Sequence, residues 1–308
     1  MRNKFADAIF EIGSVNKNIC ALVADISPAG SMEKFRKKYP DRFINCGVAE
    51  QSMIGISAGL ALKGMRPFCY TIATFALFRP FEFIRVDLGY QNLPVTVIGM
   101  GAGLIYSTLG GTHHSMEDIA IASSIPNMTV LAPCDPIEMK LATIWCATKS
   151  KGPVYMRLGK VGEPEITKDA YDKKFTIGKL RYIKKGEDIA LISYGITINV
   201  LIEVSKELKN KQNINCSIIN MHTIKPLDKK GLENILKKYK KIIIAEEHVP
   251  YGSVSSMIKS YAYENKIFTD IKSVTLKDEF IHFYGSHKEL LNKHGLSTTK
   301  ILKKINEK

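Results

Sequence analysis

The sequence predicts an α/β protein of two domains, the first built on a parallel sheet. Three observations carry this. Short apolar runs rich in Val, Ile and Cys, without polar alternation, are separated by helical patterns, as in strands covered on both faces. Midway along the 308 residues, Gly162, Pro164, Gly178 and Gly186 fall among lysines and break the pattern. A second strand–helix series then begins.

Taken in order, strands are expected at residues 19–24, 43–46, 67–72, 95–99, 129–132 and 154–158, with helices at 5–14, 50–62, 80–89, 115–124 and 136–148. Pro80 and Pro136 suit a first helical position and Asp135 a cap. The first domain is expected to span 1–165 and a linker 166–186, with a short strand near 179–184. A smaller α/β domain follows over 187–308, with strands at 189–194, 216–220 and 241–245. Helices are expected between these strands and after Gly252.

Composition sets the outer bounds. With 45% hydrophobic and 24% charged residues, the chain has a globular balance. No run approaches the ~18 apolar residues of a membrane span, and the first residues lack a signal-peptide core. Six cysteines without a CxxC pair read as reduced thiols of a cytoplasmic protein. The net charge of +14 comes largely from C-terminal lysines. Without interleaved aromatics or a recognition motif these describe a solvated or partner-facing surface, not a nucleic-acid face. They would attract phosphorylated metabolites or an acidic partner chain.

The chemistry concentrates in the first domain. Gly47-Val-Ala-Glu50-Gln-Ser-Met53 brings Glu50 past a strand into the first turn of an apolar helix. That is the carboxyl edge of the sheet, where ligands of parallel α/β sheets bind; a helix-dipole carboxylate is the plainer alternative. Gly55 and Gly59 on the same helix imply a close neighbouring backbone. Phe75, Phe78 and Phe81 straddle the loop after the third strand. They are either core or a stacking surface for a flat group, with at least one expected at the sheet edge. His113 and His114 follow the turn Gly110-Gly111 and could move protons or bind hydroxyls, or simply bond backbone. Gly99, Gly101 and Gly103 make no dinucleotide fingerprint, and no metal-ligand spacing is present. An acid, an aromatic platform and a histidine on successive loops can hold a planar heterocycle and act on a carbonyl compound.

Four segments together resemble the thiamine-diphosphate enzymes of the transketolase family: Gly47-Val-Ala-Glu50-Gln-Ser-Met53, Ala73-Thr-Phe75-Ala-Leu-Phe78, Gly111-Thr-His113 and Pro153-Val-Tyr-Met-Arg157. Thr223-Ile-Lys-Pro-Leu-Asp228 and Ala245-Glu-Glu-His248 extend the likeness to the family's C-terminal domain. The resemblance implies a pyrimidine-binding domain followed by a transketolase C-terminal-type domain. It implies that Glu50 shares a proton with the aminopyrimidine of thiamine diphosphate, aided by burial against Phe75 and Phe78 that would raise its pKa. Phe75, Phe78 and Phe81 would pack on that ring, with Asp25 near the cofactor. His113 would bind substrate hydroxyls, and Arg2 and Arg157 would hold a sugar phosphate.

Full-length relatives carry a Gly-Asp-Gly motif for the diphosphate and Mg²⁺, which this sequence lacks. The resemblance therefore implies a split enzyme whose N-terminal, diphosphate-binding subunit holds the metal, closing as α2β2. The expected reaction is transfer of a two-carbon ketol unit between sugars. Deoxyxylulose-phosphate synthesis and 2-oxoacid chemistry are the alternatives, and a non-catalytic scaffold is a different class. Gly101 stands where a second histidine is usual, Leu109 where an acid is usual, and Ala29 where a phosphate-binding serine is usual, with Ser31 close by. These departures point to an unusual or modified sugar.

Overall fold

The computed structural model describes residues 1–26, 32–160 and 162–307. Ala29 and Ser31 lie outside the described residues.

The first domain runs α1 (Arg2–Val15), β1 (Ile19–Val23), α2 (Glu33–Lys38), β2 (Phe43–Asn45), α3 (Glu50–Leu62), β3 (Arg66–Ile72), α4 (Ala73–Leu77), α5 (Phe81–Phe83), β4 (Thr96–Met100), α6 (Asp118–Ser124), β5 (Thr129–Leu131), α7 (Pro136–Thr148) and β6 (Val154–Leu158). The second runs β7 (Arg181–Lys184), β8 (Ile189–Ser193), α8 (Ile198–Gln212), β9 (Cys216–Asn220), β10 (Thr223–Lys225), α9 (Lys229–Lys238), β11 (Lys241–Ala245), α10 (Val254–Glu264), β12 (Asp270–Val274), α11 (His287–His294) and α12 (Thr298–Asn306).

Two sheets result, in the orders β10-β5-β6-β4-β3-β1-β2 and β12-β11-β8-β9-β7. Each is parallel except at one edge, where β10 and β7 pair antiparallel. β1, β4, β6, β8 and β9 are buried along their whole length, which is why their sequences show no alternation. One apolar cluster is continuous from Leu22 and Val97 in the first sheet to Ile192 and Ile244 in the second. The two domains therefore share a core.

Several expectations change. The helix expected at 80–89 is a short α-turn, α5, followed by a π-helical stretch, Ile84–Tyr90. Pro80 precedes α5 instead of opening it, while Pro136 opens α7 behind Asp135, whose side chain accepts from the Glu138 N–H. The helix expected from 115 starts at Asp118. The span read as linker contains β7, an edge strand of the second sheet. β10, unforeseen, crosses back to complete the first sheet: only three residues long, it gives no periodicity to read.

Candidate active site

The order β6-β4-β3-β1-β2 lines up the loops at the carboxyl ends of neighbouring strands. Lys160, the 101–117 loop, Phe75 with Arg79, Asp25 and Glu50 thus share one sheet edge.

Glu50 opens α3 and is almost fully buried. A cation from the next loop meets its carboxylate. Both carboxylate oxygens accept from Nη1 of Arg79, at 2.8 and 2.9 Å. The Arg79 guanidinium also lies 4.6 Å from the centre of the Phe75 ring, and its side chain is 42% exposed. Phe75 in turn meets the His113 imidazole edge-on at 5.2 Å. The Thr112 hydroxyl lies 2.9 Å from His113 Nδ1, and Thr74 Oγ1 donates to the Thr112 carbonyl at 3.2 Å, fastening this loop to α4. Burial pulls the His113 imidazole below its ordinary pKa. Beyond it stands Tyr106, 6.0 Å from His113, with Lys160 Nζ 5.3 Å from its ring centre. Beside Lys160 the two domains frame an open cleft of ≈ 500 Å³, also lined by Ile105, Asn199, Glu247 and His287.

The other expected residues divide. Phe78 and Phe81 are half-buried and pack on the core cluster, so Phe75 is the aromatic of the trio that meets both Arg79 and His113. Asp25 is exposed at the end of β1 in a left-handed conformation, φ +46°, and its N–H donates to Asn45 Oδ1 at 3.0 Å. Arg2 is half-buried, and its backbone N–H donates to the Lys160 carbonyl at 3.0 Å.

Arg157 does not join the group. It is buried between the domains, with Nε 3.0 Å from Asp118 Oδ2 and Nη2 donating to the Glu247 carbonyl at 3.0 Å. Two of its guanidinium nitrogens thus face groups inside the protein, beside the junction and not the Glu50–His113 cluster. Glu247 fixes the same junction. Its Oε1 accepts from the Leu104 N–H at 2.6 Å and lies 2.7 Å from His287 Nε2. Burial alone would raise the Glu247 carboxyl, but His287, Arg157 and the Leu104 N–H together outweigh it and the group sits below its usual range. Burial likewise opposes charge on His287, but Glu247 holds that imidazole above its ordinary value.

Sequence reading passed over Arg79, Tyr106 and Lys160. Arg79 had a visible signal, a lone cation between Phe78 and Pro80 in a segment already singled out.

Two family models match the chain, the transketolase pyrimidine binding domain over residues 1–161 and the transketolase C-terminal domain over 178–301. The chain belongs to the transketolase family. It is 30% identical over 302 residues to a subunit of the apulose-4-phosphate transketolase of Phocaeicola vulgatus, covering 98% of this chain and 95% of that one. A putative transketolase C-terminal section of Methanocaldococcus jannaschii is 34% identical over 308 residues, covering 100% and 95%. A solved split gene transketolase, described as an inactive beta4 tetramer, superposes with a TM-score of 0.87 at 31% identity, over 99% of this chain and 96% of that one. The chain is thus a transketolase-type subunit, and its two domains are those that the resemblance implied.

Proposed function

We propose that this chain is the pyrimidine-binding subunit of a two-chain, thiamine-diphosphate-dependent transketolase that moves a two-carbon ketol unit between sugars or sugar phosphates. The observation that carries this reading is the Arg79 guanidinium. It is a flat N–H donor seated between a buried carboxylate and an aromatic ring. A place that accepts one planar, nitrogen-bearing group suits another, so the residues present fit an aminopyrimidine.

Thiamine diphosphate, when bound, supplies the electron sink for breaking and making a carbon–carbon bond beside a carbonyl. Glu50 would receive the ring through its carboxylate oxygens and hold the shared proton there. Arg79, exposed along its side chain, would give up that place to solvent. Phe75 would stack and exclude water, with Phe78 and Phe81 backing the loop that carries it, and Asp25 would border the cofactor from β1. His113 is neutral at neutral pH and so can both accept from and donate to a substrate hydroxyl. Arg2 would draw the anionic end of the sugar. The diphosphate and Mg²⁺ would fall to a partner subunit, in an α2β2 assembly. The names of the relatives, one a transketolase subunit and one a split gene transketolase, support a two-chain enzyme. The six free cysteines support a cytoplasmic setting.

The test is reconstitution with the diphosphate-binding subunit. The pair should turn over a ketose phosphate with an aldose phosphate acceptor, and Glu50→Ala should abolish turnover while leaving assembly intact. Near-normal activity of Glu50→Ala would exclude the proposed role, and turnover of pyruvate in place of the ketose would redirect the reading to deoxyxylulose-phosphate or 2-oxoacid chemistry.

A further inference from the structure

The loop from β4 to α6 begins with Gly101 at φ +67°, a conformation few side-chain-bearing residues adopt. A Cβ placed on Gly101 would stand 2.1 Å from Cε2 and 2.6 Å from Cδ2 of Tyr106. These atoms belong to a half-buried ring set between His113 and Lys160, so it cannot fold aside as a flexible chain tip could. The Tyr106 ring and a side chain at 101 exclude one another. Gly101 is therefore not a gap in the wall of the site: the wall there is Tyr106.

We propose that Tyr106 is a specificity-determining residue of this site, its ring and hydroxyl standing in for a side chain at 101 and bearing on the carbon chain of the sugar between His113 and Lys160. The inference rests on the transketolase reading and deepens it by naming what sorts the substrate. An open-chain sugar presents C–H groups that lie well on an electron-rich ring face, and a phenol adds one donor and acceptor for a hydroxyl. Among the described residues none hydrogen-bonds the Tyr106 hydroxyl, which leaves it to a ligand. Burial raises the phenol above its ordinary pKa, so it stays a donor at neutral pH. Lys160, 5.3 Å from the ring, and Arg2, whose charge acts on the phenol, supply positive charge beside it. The substrate class that fits is a ketose with an anionic group at the end remote from its carbonyl.

Two readouts test this in the complex with the diphosphate-binding subunit. With fructose 6-phosphate as donor, Tyr106→Ala should raise the donor KM about tenfold or more with kcat changed less than about threefold, and Tyr106→Phe should recover most of the loss. A donor KM in Tyr106→Ala equal to wild type overturns the proposal. In parallel, 3-fluorotyrosine at position 106 should show a shifted ¹⁹F resonance when fructose 6-phosphate is added. If the wild-type complex turns over no ketose phosphate, the transketolase reading fails. The resonance then decides for Tyr106, a shift supporting it and an unmoved line at saturating sugar overturning it.

Discussion

The carboxylate of Glu50 and the guanidinium of Arg79 form a pair in which one nitrogen, Nη1, serves both oxygens, at 2.8 and 2.9 Å. The acid is buried and the base is not. A charge withdrawn from water at a helix entrance is thus satisfied by a side chain that can leave.

Removing the base should have two opposite effects. Arg79→Ala should destabilise the isolated chain by about 1–2 kcal/mol, less than a fully buried pair because Arg79 is partly exposed. The same variant, assembled with its partner, should bind thiamine diphosphate more tightly, since no guanidinium competes for Glu50. Denaturant melts and calorimetric titration measure the two, and weaker cofactor binding would contradict the placeholder role.

Arg157 should behave as an internal fastener. Arg157→Ala leaves the buried Asp118 without its cation, held by the Tyr155 hydroxyl, and should cost about 3–5 kcal/mol. Arg157→Lys should fold with lowered stability and leave the KM for a sugar phosphate within about twofold of wild type. A KM raised far beyond that would restore the phosphate-gripping role.

The Glu247–His287 pair should make stability depend on pH. His287 has a raised folded pKa, so its contribution is full below ~6.5 and is lost as pH rises through the raised value. Glu247 has a depressed folded pKa, so its contribution is present above ~4.3 and is lost as pH falls through the depressed value. The pair therefore stabilises most between these limits. Thermal melts should show a decline on the alkaline side of ~6.5, and Glu247→Gln should flatten it.

Gly103 admits no side chain. At φ +73° its Cβ would meet the Glu247 carboxyl carbon at 2.6 Å and Arg157 Nη2 at 2.8 Å. Gly103→Ala should lower stability by about 1–3 kcal/mol by prising apart the domain junction. Hydrogen exchange at the Leu104 amide should speed up in that variant, and unchanged protection would count against the assignment.

Much of this was legible in the residues. The non-alternating runs at β1, β4 and β6 announced a covered parallel sheet, and α3 and α7 begin and end as their patterns indicated. The placement of Glu50 and Phe75 at the sheet edge was legible because a strand end delivers each of them there. What escaped depends on contacts distant in sequence. The contacts of Arg157 with Asp118 and Glu247, 39 and 90 positions away, leave no trace in the local sequence. Tyr106 hides in a glycine-rich loop, where only three-dimensional crowding shows that its ring fills the space a Cβ at 101 would need.

One further consequence lies in β10. Thr223 and Lys225 zip onto Leu131 and Val130, and the Lys225 ammonium caps the carbonyls of Ser123 and Ile125 at the end of α6. A nuclease-trimmed gene or a protease nick that severed the chain near residue 165 would free a front half with a raw, sticky flank along β5. The two halves are stitched by that short return thread, and neither should survive as a well-behaved fragment.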